Sequence, residues 1–287
     1  MKDSKIQWTG KTYGGYFGNW CFLKLLKFGM YPAYLLLVFV ASYFQIFRPT
    51  ACKGGAIFLE KVLGRKVGRF SFTLYKLLFS FGVCLLDRTA YLIGSDKIKI
   101  IDDAEASIKE ILSSGKGVIV LTAHIGGWAI SATQLEKYGR KLFIAGVDTE
   151  DSRLRELAKS VQKRGKSAIN TDGAMGNIQA YSILRAGGIV AMHADRYAGG
   201  RFVDVEFFGK NVKAPLSPYA LAKTSGVPIV QTICVREKLF TYRMKALSII
   251  DAEKKSPEEC AEIFMKNMES ALREYPYQWF NFYDFWA

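Results

Sequence analysis

The chain has two histidines in 287 residues, His124 and His193. It has five cysteines, Cys21, Cys52, Cys84, Cys234 and Cys260, odd in number and widely scattered. None falls in a CxxC or Cys/His metal spacing, which argues against a zinc site or a disulfide framework. They read as reduced core thiols in a cytosol-facing protein. No Gly-x-Ser-x-Gly elbow occurs, and Ser131 and Ser217 fall in helical contexts, so a Ser-His-Asp hydrolase is disfavoured. No repeat or low-complexity linker is present. From Gly29 to Phe47 there is no charged residue.

What the chain has in excess is positive charge and apolar surface. Lys and Arg number 40 against 26 Asp and Glu, for a net charge of +14, and half the residues are hydrophobic. Such an excess attracts phosphate-bearing partners: nucleic acid, anionic lipid or an acidic carrier. The charge lies beside apolar helices rather than interleaved with exposed aromatics, which favours lipid and argues against nucleic acid. The uncharged 29–47 run would make a helix of about 28 Å, just enough for a hydrocarbon core. Aromatics sit at its ends, and Lys24, Lys27, Arg48 and Lys53 flank it. It starts late and lacks a small-residue cleavage site, so it is not a cleavable signal. Basic residues on both sides leave its orientation open. Residues 56–86 mix aromatics with lysines and arginines, as an amphipathic hairpin on anionic lipid would. The alternatives are a buried core helix for 29–47 and a helical cap for 56–86.

After Leu92 the pattern alternates. Helices are predicted at 102–114, 128–138, 151–164, 175–185, 215–224 and 257–274. Strands are predicted at 117–123, 141–147, 167–170, 188–193, 202–208, 228–236 and 241–250. Ser256-Pro257-Glu258-Glu259 combines an N-cap, a proline at N1 and a glutamate at N3. The fold class expected is α/β: a mixed sheet flanked by helices, with an N-terminal membrane-associated helical segment. The division expected is 1–90 for the anchoring helices and 91–287 for the α/β domain.

The strand at 117–123 ends in His124, then Ile125, Gly126, Gly127 and Trp128. A buried strand delivering a histidine to the carboxyl edge of a sheet puts it where α/β proteins hold ligands. His193 ends a second strand. It reads either as a site residue or as a structural one.

These blocks, in order, resemble the late acyltransferases of lipid A biosynthesis, within the glycerolipid acyltransferase superfamily. The likeness rests on His124-Ile125-Gly126-Gly127-Trp128, on Arg153 and Arg155 after Gly146-Val147-Asp148, and on Met192-His193-Ala194-Asp195-Arg196-Tyr197 leading to Phe207-Phe208-Gly209. Gly226-Val227-Pro228-Ile229-Val230 and the closing Pro276-Tyr277-Gln278-Trp279 complete it. The resemblance implies transfer of a fatty acyl group from a thioester to a hydroxyl, with His124 as general base. It implies an acyl carrier protein or coenzyme A donor and a lipid or glycolipid acceptor such as a lipid A precursor. The catalytic domain would lie on the cytoplasmic side of the inner membrane, and no metal or cofactor is called for. Gly126, Gly127, Trp128, Arg153, Arg155, His193, Arg196 and Pro228 are the expected substrate-binding residues. Arg153 and Arg155 lie two apart on a helix, so at most one faces the site. Asp195 and Arg196 either pair with each other or serve the site. Trp128 and Trp279 read as packing or interfacial anchors.

One position departs from the family pattern. Where the family has Asp or Glu five residues after the histidine, this chain has Ala129. Alanine cannot orient an imidazole. Three readings stay open: an introduced, inactivating substitution; a divergent enzyme whose acid comes from elsewhere, Asp195 being the candidate; or a lipid-binding protein without turnover. Ala129→Glu is therefore expected to raise acyl transfer by at least about 10²-fold, and a flat rate would mean that the acid comes from elsewhere.

Overall fold

The computed structural model describes residues 24–26, 28–145 and 173–287. Arg153, Arg155, Cys21, the helix expected at 151–164 and the strand expected at 167–170 lie outside these. The described residues fall into two compact units, one holding those up to Ile98 with Leu272–Ala287, the other Lys99 to Ala271.

The first unit is helical. The uncharged run forms α1 (Met30–Phe47), which ends where Arg48-Pro49 starts α2 (Pro49–Leu63) with proline in the first turn. Gly64 closes α2 in the left-handed conformation, φ 64°. Ser71 caps α3 (Phe72–Leu92) by accepting from Leu74 N at 3.2 Å. One stripe of α1 is buried: Met30, Ala33, Leu37, Ala41 and Gln45. It runs antiparallel to α3. Leu37 occupies the space a side chain at Gly82 would need. Tyr34 donates to buried Asp87 at 2.5 Å, and the Gln45 amide donates to the carbonyls of Arg69 and Ser71. The opposite face carries exposed Tyr31, Leu35, Phe39, Tyr43 and Ile46. Trp279 is a packing residue: it is fully buried between the rings of Phe58 and Phe285, at centroid distances of 5.0 and 4.9 Å.

The second unit is α/β. Its elements are β1 (Lys99–Asp102), α4 (Glu105–Ser113), β2 (Val118–Thr122), α5 (Trp128–Gln134) with a 3-10 turn at Leu135–Tyr138, β3 (Leu142–Ile144), α6 (Gly173–Arg185) and β4 (Ile189–His193). There follow β5 (Phe202–Phe207), β6 (Lys210–Pro215), α7 (Ser217–Ser225), β7 (Ile229–Lys238), β8 (Thr241–Ile250) and α8 (Pro257–Glu274). The main sheet has the order β1-β8-β7-β2-β4-β3, and among its described strands only the β7–β8 pair is antiparallel. It is the mixed sheet the alternation implied. Every residue of β2 is buried, as a central strand covered on both faces requires. Ser256 and Glu259 form the predicted capping box on α8, each accepting from the other's backbone N–H.

Two strands were not anticipated. Residues 99–101 carry no predicted element, and the helix was expected to start at Asp102. With Asp102 they form edge strand β1 instead, and Asp102 accepts from Ala104 N at 3.0 Å, turning the chain into α4. The polar run Lys210–Pro215 is a strand because a tight turn folds it onto β5. Phe208 and Gly209 take positive φ, 50° and 74°, which suits a two-residue hairpin loop. The four described cysteines, Cys52, Cys84, Cys234 and Cys260, are buried free thiols.

Candidate functional site

The register of two parallel strands assembles the site. β2 and β4 pair with Thr122 opposite His193. Ala194 N still donates to the Thr122 carbonyl at 3.1 Å, so the strands stay together past their ends. Two residues beyond that register lie His124 and Asp195, on the same side because side chains alternate. Their side chains meet. His124 Nδ1 is 2.9 Å from Asp195 Oδ1 and 3.2 Å from Oδ2, and the His124 backbone N–H donates to Oδ2 at 3.1 Å.

The Asp195 side chain is fully buried, while that of His124 is about a quarter exposed. Burial alone would raise the Asp195 carboxyl. The charge and hydrogen bond of His124, helped by Arg196 and His193, outweigh it and hold the group well below the usual carboxylate range. Arg196 Nε lies 4.0 Å from Asp195 Oδ2, so the Asp195–Arg196 pairing exists, but as a looser contact than the histidine bond.

His193 stacks on His124, ring centroids 4.2 Å apart and planes 24° apart. Burial, with the nearby His124 and Arg196 charges, pushes its pKa down to about 3, so it is neutral at ordinary pH. Trp128, the first residue of α5, sets its ring centroid 5.6 Å from that of His124, the planes tilted by 52°. Ala129 follows on the same helix, half-buried.

The paired glycines act separately. Gly126 has φ 56°, a left-handed turn that glycine makes cheaply as the chain leaves β2. Gly127 donates to the Cys234 carbonyl at 2.6 Å. A side-chain carbon there would fall 2.6 Å from Tyr242 Cδ1 and 3.3 Å from Cys234 Sγ. Its close approach is therefore to the protein's own core rather than to open space. Gly127→Ala should destabilise the fold by about 1–3 kcal/mol, the usual cost of overpacking. The check is the urea midpoint in detergent, which should fall without a change in slope.

Pro228 is not brought to this edge. It precedes β7, and its carbonyl accepts from Ile119 near the start of β2, so it lies at the amino end of the strands. Five residues of strand separate that level from His124, about 17 Å. The Gly-x-Pro pattern marks where a strand begins, not where it ends. Sequence reasoning missed Thr122, Ser131, Thr232 and Met244, which with Val120, Ala191, His193 and their neighbours line a small cavity under α5. It has room for roughly one water, about 20 Å³, far less than a fatty acyl chain. No local motif betrays these residues; only the sheet order brings β7 beside β2 and β8 next to β7.

Comparison with known proteins adds the family. A search of curated protein sequences gives no match. Among solved structures, the 1-acyl-sn-glycerophosphate (LPA) acyltransferase PlsC of Thermotoga maritima is similar over 84% of this chain and 95% of that one. The identity there is 11% and the TM-score 0.38. The profile described as bacterial lipid A biosynthesis acyltransferase matches residues 94–287, most of the chain and the whole of the His124–Asp195 site. The chain therefore belongs to the bacterial lipid A biosynthesis acyltransferase family.

Proposed function

We propose that this protein moves a fatty acyl group from an acyl thioester to a hydroxyl of a lipid or glycolipid acceptor, such as a lipid A precursor. The observation that carries the reading is the His124–Asp195 pair at the carboxyl edge of the sheet. Asp195 keeps the proton on Nδ1, leaving Nε2 to take a proton from the acceptor hydroxyl. The alkoxide oxygen attacks the thioester carbonyl, forming the new C–O bond. Collapse of the tetrahedral intermediate breaks the C–S bond, and the imidazolium returns its proton to the departing thiolate. Buried Asp195, ionised, stabilises the imidazolium between these steps, as in other His–Asp pairs.

Acyl carrier protein is the preferred donor over coenzyme A, because an acidic carrier complements a chain of net charge +14. Trp128 and Arg196 border the pair and are proposed to contact substrate, as is one of Arg153 and Arg155. The chain would sit on the cytoplasmic face of the inner membrane, held by α1. That helix is long and apolar enough to cross a membrane. With one stripe packed on α3 and the other exposed, it also suits an in-plane position.

The test is transfer of a labelled acyl group from carrier protein or coenzyme A to a phosphorylated glucosamine lipid, in detergent. Transfer that vanishes in His124→Ala supports the reading. Lipid binding without turnover of any thioester would instead favour the binding protein that Ala129 left open.

The geometry also changes what position 129 should do. Nδ1 of His124 already has a carboxylate partner, so an added one has no vacancy to fill. Ala129→Glu is expected to alter the transfer rate by less than about tenfold, or about 1.4 kcal/mol in barrier. A gain of about 10²-fold or more would mean that Asp195 does not serve as the acid.

A further inference from the structure

Most of what orients a catalytic imidazole is hydrogen bonding at its edge, and here that amounts to one carboxylate. A bond at Nδ1 still leaves coupled changes of χ1 and χ2 by which the ring plane can tilt. Something must hold the faces. The structure supplies it: His193 lies flat against His124 at 4.2 Å, and Trp128 stands 5.6 Å away. We propose that His193 is a positioning residue, whose ring face fixes the plane of His124 so that Nε2 points at the acceptor hydroxyl.

Three observations carry this. First, the stacking follows from register, since His193 is the β4 partner of Thr122, one level below the His124–Asp195 pair on the same face. Second, the Nε2 atom of His193 is buried and meets no hydrogen-bond partner among the described residues. A histidine chosen for its hydrogen bonds would have one; a histidine used as a flat ring need not. Third, burial keeps His193 uncharged, with the charges of His124 and Arg196 adding to it and that of Asp195 opposing it; these three are the charged and titratable groups around it among the described residues. An uncharged face lets His124 gain its proton without a second cation against it. A lysine or arginine in this place would oppose that step.

The proposal rests on the His124–Asp195 reading, so its test has one arm that needs no activity. The chain's only two imidazoles make ring-labelled histidine NMR simple. In His193→Phe the sole remaining signal is His124, and it should stay single and sharp. In His193→Leu, which fills space without a flat face, the His124 signal should broaden or split. In the transfer assay, His193→Phe should keep kcat within about threefold. His193→Leu should lose about 30-fold in kcat with KM little changed, in keeping with the cost of a small misplacement at a reacting centre.

Equal loss in Phe and Leu variants would overturn the proposal, because the nitrogen rather than the face would then matter. So would full activity in His193→Leu, or an unchanged His124 signal in it. If His124→Ala itself keeps its rate, the dyad reading fails. The NMR arm still decides whether His193 orders the ring.

Discussion

Asp195→Asn should lower acyl transfer by about 10³- to 10⁴-fold while leaving the fold intact. The size follows the behaviour of other His–Asp pairs, where an isosteric amide leaves the geometry but favours the wrong imidazole tautomer. Asn can still accept the His124 backbone N–H that Asp195 holds at 3.1 Å. It can also offer an amide N–H to Nδ1, which then becomes an acceptor and places the proton on Nε2, where the base must be free. The loss should fall on kcat, with donor affinity preserved. Two groups acting as one unit are not additive, so the His124→Ala, Asp195→Asn double variant should be little worse than His124→Ala alone. Single-turnover transfer from acyl carrier protein measures all three. A rate for Asp195→Asn within about tenfold of the parent would remove Asp195 from the mechanism.

Replacing Leu35 and Phe39 together by glutamate should reduce partition into anionic vesicles by more than about 10²-fold. Both side chains are about two-thirds exposed on the outer face of α1, so the change should not disturb the packing on α3. Each removes roughly 2 kcal/mol of apolar burial in lipid and adds a charge that repels anionic headgroups. Arg69 lies over Phe70 and Lys76 over Phe72, both rings exposed, so cations and apolar groups share the adjoining surface. Salt should therefore weaken binding of the parent only in part, because screening acts on the cations and not on the apolar contact. Sedimentation with vesicles at low and high salt tests both statements. Unchanged sedimentation of the double variant would exclude this face as the lipid contact.

How much of this was legible in the chain depended on how local the determinant was. The all-buried strand β2 announced itself as an apolar, β-branched run ending at His124. The α8 start was written in four residues, and its capping box formed as expected. The uncharged run read at 29–47 became a helix from Met30 to Phe47, with Gly29 just ahead of it. Strands β1 and β6 were not legible, because each is a short, half-polar segment made a strand by its partner rather than by its own pattern.

The sequence by itself determined that a histidine stands at the end of a buried strand and that the expected carboxylate at 129 is an alanine. It determined, through the order of its blocks, the family to which the chain belongs. It raised Asp195 as a substitute but could not join it to His124, 71 residues away. That pairing was decided by the parallel register of β2 and β4, which sets the two residues level on one face. The same register stacked His193 on the imidazole and left Pro228 at the far end of the sheet. Neighbouring residues in a strand are fixed by covalent spacing and can be read from a string of letters. Neighbouring strands are chosen by burial across the whole domain, and only the folded chain makes that choice.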